Sequence, residues 1–147
     1  MHVLIVCDSK FGNTNRLAET MVAALGDTHE VTLRSAEEGL GPVAGVDVLL
    51  VGGPTHAHGA SKPLKRALAA LPEGSLTSAR AATFDTRFRM ARILTGSAAA
   101  SASKALERAG AEIVAEPESF FVSREDPPTL DPGELDRASS WVRAVVG

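Results

Sequence analysis

Val3-Leu4-Ile5-Val6-Cys7-Asp8-Ser9-Lys10-Phe11-Gly12-Asn13-Thr14 is an apolar run, a short loop bearing hydroxyls and a glycine, and the opening of a helix. The run at residues 3–7 is unbroken and has β-branched content in Val3, Ile5 and Val6, which reads as a strand buried on both faces. Beyond the loop, Leu17, Ala18, Met21, Val22 and Leu25 recur at helical spacing. Asn13 or Thr14 is the expected N-cap and Gly26 the terminator. Ser9 and Thr14 offer hydroxyls, and Gly12 lets backbone approach a ligand closely. The first N–H groups of a helix lack intrahelical partners and, with the helix dipole, favour an anion. A cap alone needs one hydroxyl residue, so the whole loop points to a phosphate-bearing ligand.

Strand and helix signals then alternate. Residues 29–33 read as an edge strand, since Val31 and Leu33 alternate with Thr32 and Arg34, and residues 36–40 as a helical turn. Asp47-Val48-Leu49-Leu50-Val51 is a second apolar strand, ending in Gly52-Gly53-Pro54. A helix follows from Ser61 as N-cap, with Pro63 in its first turn, Leu64, Ala67, Leu68 and Leu71 as its stripe, and Pro72 as its stop. Residues 80–85 form a third central strand, followed by a long loop at 86–96. Ser97 or Ser101 caps a helix that reaches Arg108 and closes at Gly110. Residues 111–114 and 119–122 make a last strand interrupted near Pro117. Asp131-Pro132-Gly133-Glu134 supplies N-cap, N1 proline and N3 acid for a final helix, whose Leu135, Ala138, Val142 and Val145 face the core. There are no internal repeats, and the low-order stretch 123–129 is too short to separate domains, so one domain spans 1–147. This order implies a parallel sheet with helices on both faces, and ligands in such sheets sit beyond the carboxyl ends of the strands. The loops there are 8–14, 52–60 and 86–96.

Composition narrows the function. With 147 residues, 44% apolar and 22% charged, the chain can bury one core. A net charge of −3 argues against a nucleic-acid surface. No apolar run approaches the roughly 20 residues of a membrane span. Met1-His2 leads directly into a strand without a basic leader, so no signal peptide is expected, and the single Cys7 rules out an internal disulfide. A cytoplasmic setting follows as the expectation. Cys7 lacks the Cys-x5-Arg spacing of the low-molecular-weight phosphatases, because Asn13 stands at the arginine position. Val51-Gly52 stands where a receiver domain carries its aspartate, and no Gly-x4-Gly-Lys-Ser/Thr run is present.

The hexapeptide Ser9 to Thr14 resembles the phosphate loop of the flavodoxin family, Ser/Thr-x-Thr-Gly-Asn-Thr. Gly53-Pro54-Thr55 resembles the start of that family's second flavin loop, and Phe84-Asp85-Thr86-Arg87 stands where the third begins. The resemblance covers the chain in element order. It implies a doubly wound α/β three-layer sandwich whose five-stranded parallel sheet has the flavodoxin order 2-1-3-4-5, with FMN as cofactor. It assigns the phosphate to Ser9, Lys10, Phe11, Gly12, Asn13 and Thr14. It assigns ribityl or flavin contacts to Pro54 and Thr55, and a backbone group near flavin N5 to Gly59. Third-loop contacts fall to Asp85, Thr86, Arg87 and Phe88. Asp85 serves either backbone groups of its loop or a flavin ring edge. His56 and His58 pack on the flavin or stay solvated; a structural zinc needs about four ligands, and Cys7, His2 and His29 belong elsewhere. Two departures stand out. Phe11 replaces the family's middle Thr, and no Tyr exists to stack on the ring, while the one Trp, Trp141, lies in the last helix. Arg87, Arg89 and Arg92 are either a solvated face or a site for an anion: reduced flavin, a nicotinamide dinucleotide phosphate or an acidic partner. The implied function is electron transfer to a redox partner protein or a small-molecule acceptor. The alternatives are an FMN-dependent NAD(P)H:quinone-type oxidoreductase and a flavin-free binding module.

Overall fold

Strand β1 (His2–Cys7) is buried along its apolar run, with Val3, Leu4, Ile5 and Val6 at most 1% exposed. Such a strand needs a partner on each edge and cover on each face. In the computed structural model, which describes residues 1–56 and 59–147, β1 pairs in parallel with β2 (Glu30–Ser35) on one side and β3 (Val48–His56) on the other. β3 pairs in parallel with β5 (Arg80–Phe88), and β5 with β6 (Glu112–Ile113) and β7 (Glu118–Val122). The strand order is β2-β1-β3-β5-β6. It keeps the expected arrangement of the long strands, but the sheet has seven strands rather than five. One extra is β4 (Gly59–Ala60), an antiparallel return on the end of β3. The other arises because the last strand breaks between β6 and β7, around Pro117, which lacks an N–H for the ladder.

Alternate residues face opposite layers. Val3, Ile5, Val48, Leu50 and Phe84 pack under α1 (Asn13–Leu25) and α5 (Glu134–Val146). Leu4, Val6, Leu49, Val51 and Ala81 pack under α2 (Lys62–Ala69) and α4 (Ala98–Arg108). Trp141 belongs to the first layer, edge-on to Phe84 and Phe120 at 6.0 Å each. Phe84 lies so close over Gly52 that a Cβ there would overlap its ring. Among the described residues no helix is long and apolar enough to cross a membrane.

Two helix starts, those of α1 and α5, differ from expectation, and α2 starts behind Ser61 as expected. Gly12, in the left-handed region at φ 86°, is the N-cap of α1 in place of Asn13 or Thr14, and no side chain caps it. Ser61 stands at the N-cap of α2 without a side-chain cap bond. α5 starts at Glu134 behind Gly133, past Asp131. Ser97, not Ser101, caps α4, accepting from the Ala100 N–H at 3.1 Å.

Glu134 ties α5 to the sheet. It accepts from the Phe121 N–H at 2.7 Å and from Arg137 at 2.7 and 2.9 Å. Burial pushes the Glu134 carboxyl up, but the bonds from Arg137 and Phe121 outweigh it and hold the group below the usual carboxylate range. A depressed folded value gives stability that is present above the unfolded pKa, about 4.3, and lost as pH falls through the folded one. Glu134→Gln is therefore expected to cost about 1–2 kcal/mol at neutral pH, with the gap to wild type narrowing in acid. Urea midpoints at neutral pH and below the unfolded pKa check this; a gap independent of pH would contradict it.

Candidate functional site

The order of the sheet reverses between β1 and β3, and both strands end at the same edge as β5. Their loops enclose a cavity of about 450 Å³. Lys10, Phe11 and Asn13 line it from the first loop, Pro54, Thr55 and His56 from the end of β3, and Thr86, Arg87 and Phe88 from the end of β5. Met90, Leu94 and Thr95 extend the third wall into α3 (Arg92–Thr95). Val122, at the end of β7, and Pro128, in the stretch 123–129 that reads in the sequence as a loop, add a fourth.

The first loop is shaped by Gly12, where a left-handed turn leaves open space at the Cβ position. Ser9 Oγ accepts from the Asn15 N–H at 3.2 Å, and the Arg16 N–H donates to the Gly12 carbonyl at 2.9 Å, starting α1. The N–H groups of residues 10–14 meet no acceptor among the described residues. Ser9 and Gly12 line an adjoining cavity of about 410 Å³, with Cys7 and Arg34. Asn13 is turned sideways, donating to the Pro128 carbonyl at 2.8 Å and so holding the fourth wall. Thr14 is 1% exposed, and its hydroxyl lies 3.3 Å from that of Thr86, joining the first and third loops beneath the cavity. Burial, with Asp8 and Glu19 nearby, pushes the Cys7 thiol up to about 11. At neutral pH it stays a thiol, not a nucleophilic thiolate.

Two residues expected at the ligand also bind the framework, Thr55 while still lining the cavity. Asp85 is fully buried, and its Oδ2 accepts from Ser97 Oγ at 2.6 Å and from the Ala99 N–H at 3.0 Å. Of the two roles open to it, the structure gives it the backbone and not a ring edge. Thr55 Oγ1 accepts from the Ala98 N–H at 3.1 Å. With Ser97 on Ala100, the first three amides of α4 are all satisfied, from three separate segments. Helix starts demand such acceptors, and here they hold the second and third loops against α4. Gly59 pairs with His56, and a side chain there would meet Lys65 rather than the cavity. His58 lies outside the described residues.

The arginine cluster is partly solvated yet braced: Arg89 and Arg92 are exposed, with 65% of the Arg89 side chain accessible, but each guanidinium has partners within the chain. Arg87 donates to Ser119 Oγ at 2.8 Å and to Thr95 Oγ1 at 3.3 Å, and burial lowers its pKa despite Asp85. Arg89 stacks on Phe121, 4.2 Å from the ring centroid, and pairs with Asp131 at 3.4 Å. Arg92 donates to the Pro117 carbonyl at 3.0 Å. These guanidiniums brace the third loop against β7. The ring-bearing side chains in the described wall are Phe11, His56 and Phe88.

No family model matches the sequence, and no curated protein does. Solved structures do match. Oxidised flavodoxin 1 from Bacillus cereus superposes with a TM-score of 0.83 at 18% identity, over 99% of this chain and 97% of that one. Flavodoxin 2 from the same organism gives 0.80 at 22% identity, over 99% and 98%. Rubredoxin oxygen:oxidoreductase from Desulfovibrio gigas gives 0.75 at 15% identity, over 98% of this chain but 35% of that one. At these identities the likeness establishes the fold, and the chain has the flavodoxin fold from end to end.

Proposed function

We propose that the chain binds FMN in this cavity and works as an electron carrier. The observation that carries the reading is the row of amides at residues 10–14 that meet no acceptor among the described residues, at the start of α1 and beside a cavity between three strand ends. The residues present fit the group. The amides and the positive end of α1 suit a dianionic phosphate. About 450 Å³ lies within the range of small-molecule sites. Pro54, His56, Phe88 and Leu94 offer apolar and ring surface to a planar head. FMN supplies reversible electron transfer when bound; the protein supplies position, exposure and choice of partner. Lys10, 5.3 Å from the Phe11 ring centroid, adds positive charge at the phosphate end. Phe11 takes the place of a hydroxyl the phosphate would otherwise gain. The single buried thiol supports a cytoplasmic setting.

The second reading is an FMN-dependent oxidoreductase passing electrons from NAD(P)H to a quinone-like acceptor. Its support is the open mouth, where Phe11 and Phe88 are 51% and 39% exposed. Arg87, the one arginine that lines the described cavity, already donates to Ser119 and Thr95, which counts against a dinucleotide phosphate inside it.

Titrating the purified protein into FMN tests the proposal. Saturable quenching of flavin fluorescence is expected; none with FMN at about tens of micromolar (a ΔG weaker than roughly −6 kcal/mol) would sink it. Consumption of NAD(P)H by the loaded protein with a quinone then separates reductase from carrier.

A further inference from the structure

Six large apolar side chains are exposed among the described residues, and four of them, Phe11, Phe88, Ile93 and Leu94, stand on the loops that frame the cavity. Ile93 is 89% exposed and Leu94 59%, and α3, which carries both, buries no residue at all. A helical turn that contributes nothing to the core yet displays two aliphatic side chains is unexplained by folding. Apolar patches rimmed by charge mark interaction surfaces.

The rim is cationic. Residues 84–96 hold Arg87, Arg89 and Arg92, and their one acid, Asp85, is buried beneath α4. Lys10 and Arg124 flank them, over Phe11 and Phe88. The acids nearby are Asp131, already paired with Arg89, Glu118, already paired with Arg137, exposed Glu116 beside the Pro117 that Arg92 contacts, and Glu125 and Asp126 on the 123–129 loop. The guanidiniums are held in place by stacking and hydrogen bonds, so little side-chain entropy is left to lose on binding. We propose that this collar docks an acidic protein, which seats an apolar side chain against Ile93 and Leu94 and sets carboxylates on Arg89, Arg92 and Arg124. That the partner is a redox protein rests on the FMN reading; the docking chemistry does not. An anionic bilayer fits less well. The chain carries −3 overall, and α3 is a single turn, too short to lie in an interface as an amphipathic helix.

The full chain, with and without FMN, is panned against a random-peptide phage library, and the enriched peptides are synthesised and titrated. Peptides combining Asp or Glu with aromatic or aliphatic residues are expected. Ile93→Glu should weaken them about tenfold or more, and raising salt from about 0.05 to 0.5 M should weaken them further. Ile93 is outside the cavity wall, so quenching of FMN by Ile93→Glu should match wild type, which also shows the variant is folded. Enrichment of neutral or basic peptides, or unchanged binding by Ile93→Glu, overturns the proposal. So does wild-type binding to phosphatidylserine vesicles, or a dimer that Ile93→Glu dissolves. If acidic peptides bind through Ile93 while FMN fails to quench, the surface stands and the flavin reading falls.

Discussion

Asp85→Ala is expected to destabilise the fold by about 3 kcal/mol, more than any other single polar substitution around the cavity. Asp85 is fully buried within β5, three residues before its end, and one of its oxygens accepts from both Ser97 Oγ and the Ala99 N–H. Alanine would leave a buried hydroxyl and a helix-start amide without an acceptor, at about 1–3 kcal/mol for each such group, and would remove a charge well placed at the positive end of α4. The loss would spread to both neighbouring loops, because the same helix start is held by Thr55. Asp85→Asn should recover only part. It keeps the accepting oxygen but puts an amide NH2 where Oδ1 now has no partner. Thr55→Val, which removes a single acceptor at a half-buried site, should cost about 1 kcal/mol. Trp141 fluorescence reports unfolding, since its ring packs on Phe84, next to Asp85 in β5. A urea midpoint for Asp85→Ala within error of wild type would show that α4 does not depend on this carboxylate.

The layers of the fold were legible because strands buried on both faces must be apolar throughout, as β1 and the first half of β3 are. The cavity was legible for a related reason. Glycine, hydroxyl residues and proline after a buried strand end have few other uses, and all three loops do converge. What stayed hidden is where each polar side chain finds its partner. Thr55 meets Ala98, 43 positions away, and Asn13 meets Pro128, 115 positions away. Local pattern carries no trace of such pairs. Asp85 shows the same limit: its place at a strand end suggested a ligand contact, but alternation turns it toward α4. The arginines suggested an anion site because Phe121, the ring they brace against, lies on a strand some thirty residues later. The fourth wall was missed because residues 123–129 carry turn residues and no apolar period. Its place comes from partners far off in sequence, the bond from Asn13 and Arg124 over Phe88, and from the Ser123–Thr129 bonds and Val122–Leu130 bridge that close the stretch on itself.

FMN is expected to bind at least about 100-fold more tightly than riboflavin, a difference of about 2.7 kcal/mol, and Gly12→Val should erase most of that margin. The two ligands share ring and ribityl chain and differ in the phosphate alone. The amides of residues 10–14 have no acceptor among the described residues, so a dianion gains charge-assisted bonds without displacing any seen there. That arrangement depends on Gly12 at φ 86°. A β-branched residue in the left-handed region costs about 1–2 kcal/mol or more, and the loop would relax by rotating its N–H groups away from a common centre. Nothing lies within 4 Å of the Cβ position, so the effect would come from backbone conformation and not from collision with a neighbour. Riboflavin, resting on the other walls, should lose little. Thr14→Ala is the contrasting variant. Its hydroxyl faces Thr86 beneath the cavity, so its removal should weaken FMN and riboflavin alike. Parallel fluorescence titrations of both ligands against all three proteins decide the matter. Equal affinity of wild type for the two would refute the phosphate role of the loop. Equal loss of both in Gly12→Val would mean that the loop supports the cavity as a whole and does not grip the anion.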